Sequence, residues 1–164
     1  MCDHSHSKLD LIFYFLTKNL MLDFILITGD QAIFNPIFGK AIVVVRPFIL
    51  KGTGIPTVNK KNICVVGDEK KVIVPGCSYI SPPNITPGTG TLSIQSLAIN
   101  QKARKVKSTR KAVLLKGTTF IARFQVIVPA QIPPTPVTPA IPDPIPLYTG
   151  TGYFTTTNMT TKGT

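Results

Sequence analysis

Proline and glycine interrupt almost every apolar run of this chain. Fifteen prolines and twelve glycines are spread over 164 residues. Proline lacks the backbone N–H donor and glycine destabilises regular elements, so no run keeps a helical period for long. The residues between these interruptions are rich in Val, Ile and Thr, which favour extended strands. The sequence therefore predicts an all-β fold built of short strands.

A three-residue string occurs twice and marks the organisation of this β structure. Gly52-Thr53-Gly54 is followed by the β-like run Ile55–Val58, and Gly88-Thr89-Gly90 by the run Thr91–Ile94. Glycine permits tight turns, so the two strings predict two turn-to-strand units and a duplicated β scaffold. A further turn is expected where Gly67 and Asp68 close a strand. The predicted turn residues are Gly52, Gly54, Gly67, Asp68, Gly88 and Gly90.

Two strand predictions rest on apolar patterning. Ala41–Val45 is nearly continuous in apolar residues, which predicts a strand that is buried on both faces or whose second face is covered by a partner. Thr118–Val128 alternates, so that one set of side chains should point to one face of a strand and the remaining set to the other. The first set is Phe120, Ala122, Phe124, Val126 and Val128.

Composition divides the chain into three parts. Residues 1–28 are predicted to be an apolar N-terminal extension, with Met21 as a candidate start, and no stable membrane anchor is expected because Lys18 and Asp23 interrupt the apolar stretches. Residues 29–128 form the β domain. Residues 129–164 form a proline-rich arm and a threonine-rich tail, because eight prolines within 129–146 favour an extended polyproline-like arm.

The net charge of +11 arises because acidic residues are scarce. Such a balance favours contact with an anionic partner, whether nucleic acid, a membrane surface or an acidic protein face. The segment Lys102–Lys116 carries seven of the bases and is expected to form a solvated hairpin or an exposed strand edge. One alternative for the whole chain is therefore a basic β-barrel module that binds nucleic acid through this segment.

No catalytic constellation can be assembled from the β domain. His4 and His6 are the only histidines, and both lie in the N-terminal extension with Cys2. The acidic residues of residues 29–164 are too few and too scattered to nominate a carboxylate pair. Cys64 and Cys77 could pair if the fold brings them together, although buried free thiols are the commoner outcome. We predict a protein that is not an enzyme and has no catalytic residues.

The segment Pro56–Asp68 resembles the repeat of PAAR-type proteins. That repeat runs Gly-Ser-Pro-Thr-Val, a strand, an Asn-Gly turn and a small-residue strand ending in Gly-Asp, and this chain has Asn59-Lys60 at the turn and Gly67-Asp68 at the end. Pro87–Ile94 looks like the start of a second copy. The resemblance covers about residues 40–128 and is carried by residue types that are common in β proteins.

The resemblance implies a compact, pointed β domain that caps and sharpens the trimeric, VgrG-like spike of a contractile injection machine. Such machines include type VI secretion systems and phage-tail-like particles, and the tip can carry effector cargo. It would assemble in the bacterial cytoplasm and then sit at the tip of an injected or secreted particle. A second alternative is a small structural protein of a virion or tail.

Cofactors and docking residues follow from the same reading. The family's metal-binding histidines are missing from residues 29–128, so no cofactor is predicted and the zinc ion that the resemblance allows lacks its usual ligands. Apolarity alone nominates the surface that would dock onto the spike. Its predicted residues are Ile42, Val43, Val44, Phe120, Phe124 and Val126.

Overall fold

The protein is almost entirely β-structured, as predicted. The computed structural model describes residues 22–164, which contain two short 3₁₀ helices, Asp68–Lys71 and Ile99–Gln101, and no α-helix. The strands are β1 (Asp23–Phe24), β2 (Gln31–Phe34), β3 (Ile37–Phe38), β4 (Ala41–Val43), β5 (Phe48–Ile49), β6 (Thr57–Val58), β7 (Lys61–Asn62), β8 (Ile73–Ser81), β9 (Asn84–Ser96), β10 (Lys102–Ser108), β11 (Lys111–Leu114), β12 (Thr119–Val128), β13 (Gln131–Ile132), β14 (Ile141–Pro142), β15 (Leu147–Thr155) and β16 (Lys162–Gly163).

The largest sheet closes on itself. Its strands follow the order β3-β4-β8-β9-β12-β15-β2-β5, and neighbouring strands are antiparallel. β2 and β3 are consecutive in the chain and are separated only by Asn35 and Pro36. Because β2 pairs with β15 and β3 pairs with β4, this bent segment joins the two sides of the sheet. The closed sheet therefore encloses a core and leaves few unpaired edges.

Aromatic rings fill the closed sheet. Phe34 packs edge-on against Phe120 with ring centroids 5.5 Å apart, and Tyr79 packs similarly on Phe124 at 5.1 Å. Phe120 also lies 4.9 Å from the ring of Phe154. Along β12 the residues 120, 122 and 124 are buried, whereas residue 126 is half-buried and residue 128 is exposed, so the predicted alternation is lost at the end of the strand, where the pairing with β9 shifts register. Edge-to-face aromatic pairs add stabilisation beyond the apolar area that they bury.

A second, smaller core lies outside the closed sheet and contains only aliphatic side chains. It is built from Ile25, Ile27, Ile63, Val65, Ala103, Val113 and Leu115. The hairpin β10–β11 covers it, and the short hairpin β6–β7 contributes Val58 to it. We refer to this part of the molecule as the hairpin region. Its presence confirms the hairpin predicted for Lys102–Lys116.

Glycine plays a different part from the one that the sequence predicted. Gly88 and Gly90 lie inside β9, so the prediction of a turn there is wrong. Gly52 and Gly54 belong to neither a strand nor a turn, and their buried Cα atoms approach the backbone of Ile63. Gly67 does lie in a turn, with φ of 112°. Among the glycines predicted to form turns, the four buried ones allow close approach of neighbouring groups, whereas Gly67 supplies a positive φ.

Two other expectations need correction. The segment Ala41–Val45 alternates between buried and exposed residues in β4 and is not buried on both faces, because the outer surface of the closed sheet faces solvent there. The residues 129–146 fold back as the short pair β13–β14 instead of running as one extended arm, and Gln131 of β13 pairs with Thr86 of β9.

The sheet also runs across the boundaries predicted from composition. β15 lies between β12 and β2, so residues 147–155 belong to the same sheet as the segment that ends at residue 128. At the other end, Ile25, Leu26 and Ile27 are buried although they fall in the predicted extension. Residues 1–21 lie outside the described part of the chain.

Candidate functional site

The predicted docking residues divide into buried and exposed groups. Val43 is buried, and Phe120 and Phe124 are wholly enclosed, so their side chains are core groups and cannot meet a partner. The prediction is wrong for these three because the inward face of an apolar strand looks the same in sequence as a docking face. Ile42 and Val44 are exposed, and Val126 is half-buried.

Ile42 belongs to an apolar row that crosses three strands. It lies opposite Ile37 of β3 on one side and opposite Ile80 of β8 on the other. Directly opposed residues have their Cβ atoms about 4.5–5.5 Å apart, so the three side chains are neighbours. Val44 extends the row along the same face. The exposed fractions are 56% for Ile37, 46% for Ile42 and 65% for Val44. We call Ile37, Ile42, Val44 and Ile80 the apolar row.

In the described part of the chain, the basic side chains are exposed to solvent, whereas the acidic ones are buried or half-buried. All sixteen Lys and Arg side chains of residues 22–164 are exposed. Of the five acidic residues in the same range, Asp23 is half-buried and the other four are buried. Those four are Asp30, Asp68, Glu69 and Asp143.

The buried carboxylates serve the fold. Asp30 accepts hydrogen bonds from the backbone N–H of Ile27 at 2.7 Å and of Thr157 at 2.8 Å, which ties the C-terminal segment to the first turn. Asp68 accepts bonds from Thr53 and from the N–H of Val65. Burial alone would raise the pKa of Asp68, but these hydrogen bonds and Lys71 outweigh it and hold the pKa below its ordinary value.

Asp143 fastens the proline-rich segment to the closed sheet. Its carboxylate accepts hydrogen bonds from the phenols of Tyr79 and Tyr148, and the Tyr79 oxygen in turn accepts one from the N–H of Ala130 at 3.0 Å. Ser81 lies 2.8 Å from the Tyr148 oxygen. Burial raises the pKa of Tyr148 to about 12, and the bond to Asp143 adds to this rise. Every member of the network is paired, so it holds the segment rigidly.

The two cysteines within residues 22–164 form no disulfide, and neither thiol is exposed. Cys64 and Cys77 are both free and buried. Burial raises the pKa of Cys64 to about 12, and the carboxylates of Asp68 and Asp30 add to the effect. Within residues 22–164 no three His, Cys, Asp or Glu side chains come together to hold a metal ion. Cys2, His4 and His6 lie outside the described residues.

Sequence reasoning missed a third copy of the repeated string. Gly150-Thr151-Gly152 lies in β15, and in each copy the threonine points outward while the second glycine is buried. A Cβ on Gly152 would come within 2.5 Å of the Phe120 ring, and one on Gly90 within 2.5 Å of the Phe124 ring. The recurrence of the string is visible in the sequence, but its cause is not: the second and third copies pack against inward phenylalanines of β12, whereas the first copy approaches Ile63.

A family model for contractile injection system spike tip proteins matches residues 21–164. No curated protein matches the chain. No helix in the described part of the chain is long and apolar enough to cross a membrane. The match spans the closed sheet, the hairpin region and the segment that Asp143 fastens, and it agrees with the resemblance to spike-tip proteins noted in the sequence. The chain belongs to the family of contractile injection system spike tip proteins.

Proposed function

We propose that the protein is a non-enzymatic cap of a trimeric spike and that it docks through the apolar row. The family places the chain at the tip of an injection machine, so a spike or baseplate protein is the expected neighbour. The observation that carries the docking surface is the row of opposed aliphatic side chains on the outer face of β3, β4 and β8. Effector cargo is a further part of the proposal and rests on the resemblance alone.

The energetics favour burial of this row by a partner. Fully burying an aliphatic side chain contributes about 1.5–3 kcal/mol, and the three most exposed members are each about half accessible. Covering them therefore contributes roughly 3 kcal/mol of apolar stabilisation. Cross-strand packing also holds the row flat and rigid, so little side-chain entropy is lost on docking.

Co-purification with the spike protein tests the proposal. The full chain is co-expressed with the spike of the same machine, and the ratio of the two proteins in the complex is measured. We expect one copy for each spike trimer. Ile42→Asp combined with Val44→Asp should weaken the complex at least tenfold, because both variants place a charge on the apolar row.

The matched control is Gln125→Asp, which adds a charge on the outer face of β12. β8 and β9 separate this strand from β4 in the sheet order, so the change lies away from the apolar row. It should leave the complex intact. A chain that associates only with itself, or row variants that co-purify as the wild type does, would count against the docking proposal.

A further inference from the structure

The hairpin region combines many exposed cations with an absence of exposed carboxylates. The described residues contain a single ion pair, between Lys71 and Asp68 at 3.2 Å. The other cations therefore have no acidic partner within residues 22–164. Eight of them lie on the two hairpins and their turns, and we call these eight the basic hairpin face. They are Lys60, Lys61, Lys102, Arg104, Lys105, Lys107, Arg110 and Lys111.

Both hairpin turns place a cation where glycine is the usual residue. Asn59-Lys60 joins β6 to β7 with φ values of 52° and 63°, and Thr109-Arg110 joins β10 to β11 with φ values of 50° and 65°. Two positive φ values define the type I′ turn, which favours Asn-Gly or Asp-Gly because L side chains are strained there. Lys60 and Arg110 accept this strain although folding alone would favour glycine, which points to a use for their charges.

The two hairpins are joined next to an exposed aliphatic side chain. The backbone N–H of Ile55 donates to the hydroxyl of Ser108 at 3.2 Å, which places the base of β6–β7 beside the turn of β10–β11. The side chain of Ile55 is 75% exposed. This arrangement sets an apolar residue among long basic side chains whose methylene stems are themselves apolar.

We propose that the basic hairpin face binds the anionic headgroups of a phospholipid surface. An extended plane of anions suits many unpaired cations, and Ile55 can enter the boundary between headgroups and acyl chains. A single-stranded nucleic acid is less well matched, because the segments 56–63 and 101–116 contain no aromatic residue on which a base could stack. The inference goes beyond the proposed docking, since it uses a different surface from the apolar row.

The test is co-sedimentation of the full chain with vesicles. Vesicles of phosphatidylcholine mixed with phosphatidylglycerol are compared with pure phosphatidylcholine, at low and at high salt. We expect binding to the anionic vesicles only, weakened by salt. Each cation near an anionic surface contributes about fivefold, so Lys60→Gly with Arg110→Gly should weaken binding on the order of 30-fold. These two changes also supply the residue that each turn favours, so lost binding cannot be attributed to unfolding.

A second double variant distinguishes the effect of charges on this face from the effect of net charge alone. Lys40→Gln with Arg123→Gln removes the same two charges from the turn after β3 and from β12, and should weaken binding less than threefold. The apolar N-terminal residues are the same in all variants, so they cannot cause a difference. Equal losses in both double variants, binding to neutral vesicles alone, or binding to an oligonucleotide without binding to anionic vesicles would overturn the proposal. None of these outcomes depends on the spike complex.

Discussion

The closed sheet and the hairpin region use glycine in opposite ways. In the closed sheet, Gly90 and Gly152 lie within strands, where glycine is normally unfavourable. In the hairpin region, Lys60 and Arg110 occupy turn positions where glycine is normally favoured. The first region gives up strand propensity to pack aromatic rings, and the second gives up turn propensity to display charge. In each region, the residue type that local structure would favour is replaced where packing or charge requires another.

The two cores explain the difference. Rings such as Phe120 and Phe124 need flat space above a strand, and only a residue without a side chain provides it. The hairpin region has an aliphatic core, where Ile and Val interlock without that requirement. A change that adds one methyl group should therefore disturb the closed sheet more than the hairpin region.

The largest effect is expected from Gly152→Ala. Its Cβ would lie 2.5 Å from Cε2 of Phe120, so the ring or the strand must move. We expect a loss of about 3 kcal/mol in the free energy of unfolding, measured by urea denaturation. The matched change in the hairpin region is Gly163→Ala, whose Cβ meets Ile25 at 3.3 Å, and it should cost less than about 1 kcal/mol.

A double variant checks that the ring causes this loss. Phe120→Leu removes the ring edge, so Gly152→Ala should cost less in that background, with a coupling free energy of about 1 kcal/mol or more. Equal costs in both backgrounds would mean that the glycine is needed for another reason, and the contrast between the two cores would fail.

An intermediate effect is expected from Tyr148→Phe, which removes a phenol that bonds to Asp143 in the core of the closed sheet. A hydrogen bond to a buried carboxylate contributes about 2 kcal/mol, so urea denaturation at neutral pH should show a loss of that size. Tyr153→Phe is the control, because the Tyr153 side chain is 41% exposed and carries no such bond in the structure. If both variants lose the same stability, the network does not hold the proline-rich segment.

Tyr148→Phe should also change how the free energy of unfolding depends on pH above neutrality. The pKa of Tyr148 is raised to about 12 in the folded protein, above the value of about 10 in the unfolded chain. The neutral phenol therefore contributes stability that is fully present below pH 10 and is lost as the pH rises towards 12. The free energy of unfolding should fall over this range, and Tyr148→Phe should make the fall shallower. A wild type that is as stable at high pH as at neutral pH would contradict this.

The smallest effect has the opposite sign. Lys60→Gly and Arg110→Gly relieve a positive φ at a residue with a side chain, so each should raise the free energy of unfolding by about 1 kcal/mol. Gly39→Ala is the mirror-image control, because Gly39 has φ of 60° and an added Cβ would meet no atom nearer than Cδ1 of Tyr148 at 4.0 Å, and it should lower stability by a similar amount. Thermal unfolding of the three variants measures all of these shifts. A loss of stability in the hairpin variants would mean that the cations hold the turns themselves.

The sequence predicted what depends on local pattern. The all-β class, the alternation of Phe120, Ala122 and Phe124 in β12, and the basic hairpin all follow from periodicity and residue type, and all three are observed. The turn at Gly67 belongs with them because Gly67-Asp68 is a local turn signal in the sequence.

The predictions that failed concern features that depend on contacts between residues far apart in the sequence. Nothing in the alternating pattern says whether Phe120 faces a core or a partner, so the sequence predicts docking for rings that are buried. It predicts turns at the strand glycines Gly88 and Gly90 because the groups that these glycines approach lie on other parts of the chain. The place of β15 between β12 and β2, and the use of Asp143 as an anchor, likewise appear only when the chain has closed the sheet.

The burial of the carboxylates has a consequence for the conditions under which the protein works. Histidine is the side chain that ordinarily changes charge between pH 5 and 8, and both histidines lie within the first six residues. The ionisable side chains that residues 22–164 expose fully to solvent are therefore mostly lysine and arginine, types that do not ordinarily change charge in that range. A tip that passes from one compartment to another of different acidity would carry the same electrostatic face through both.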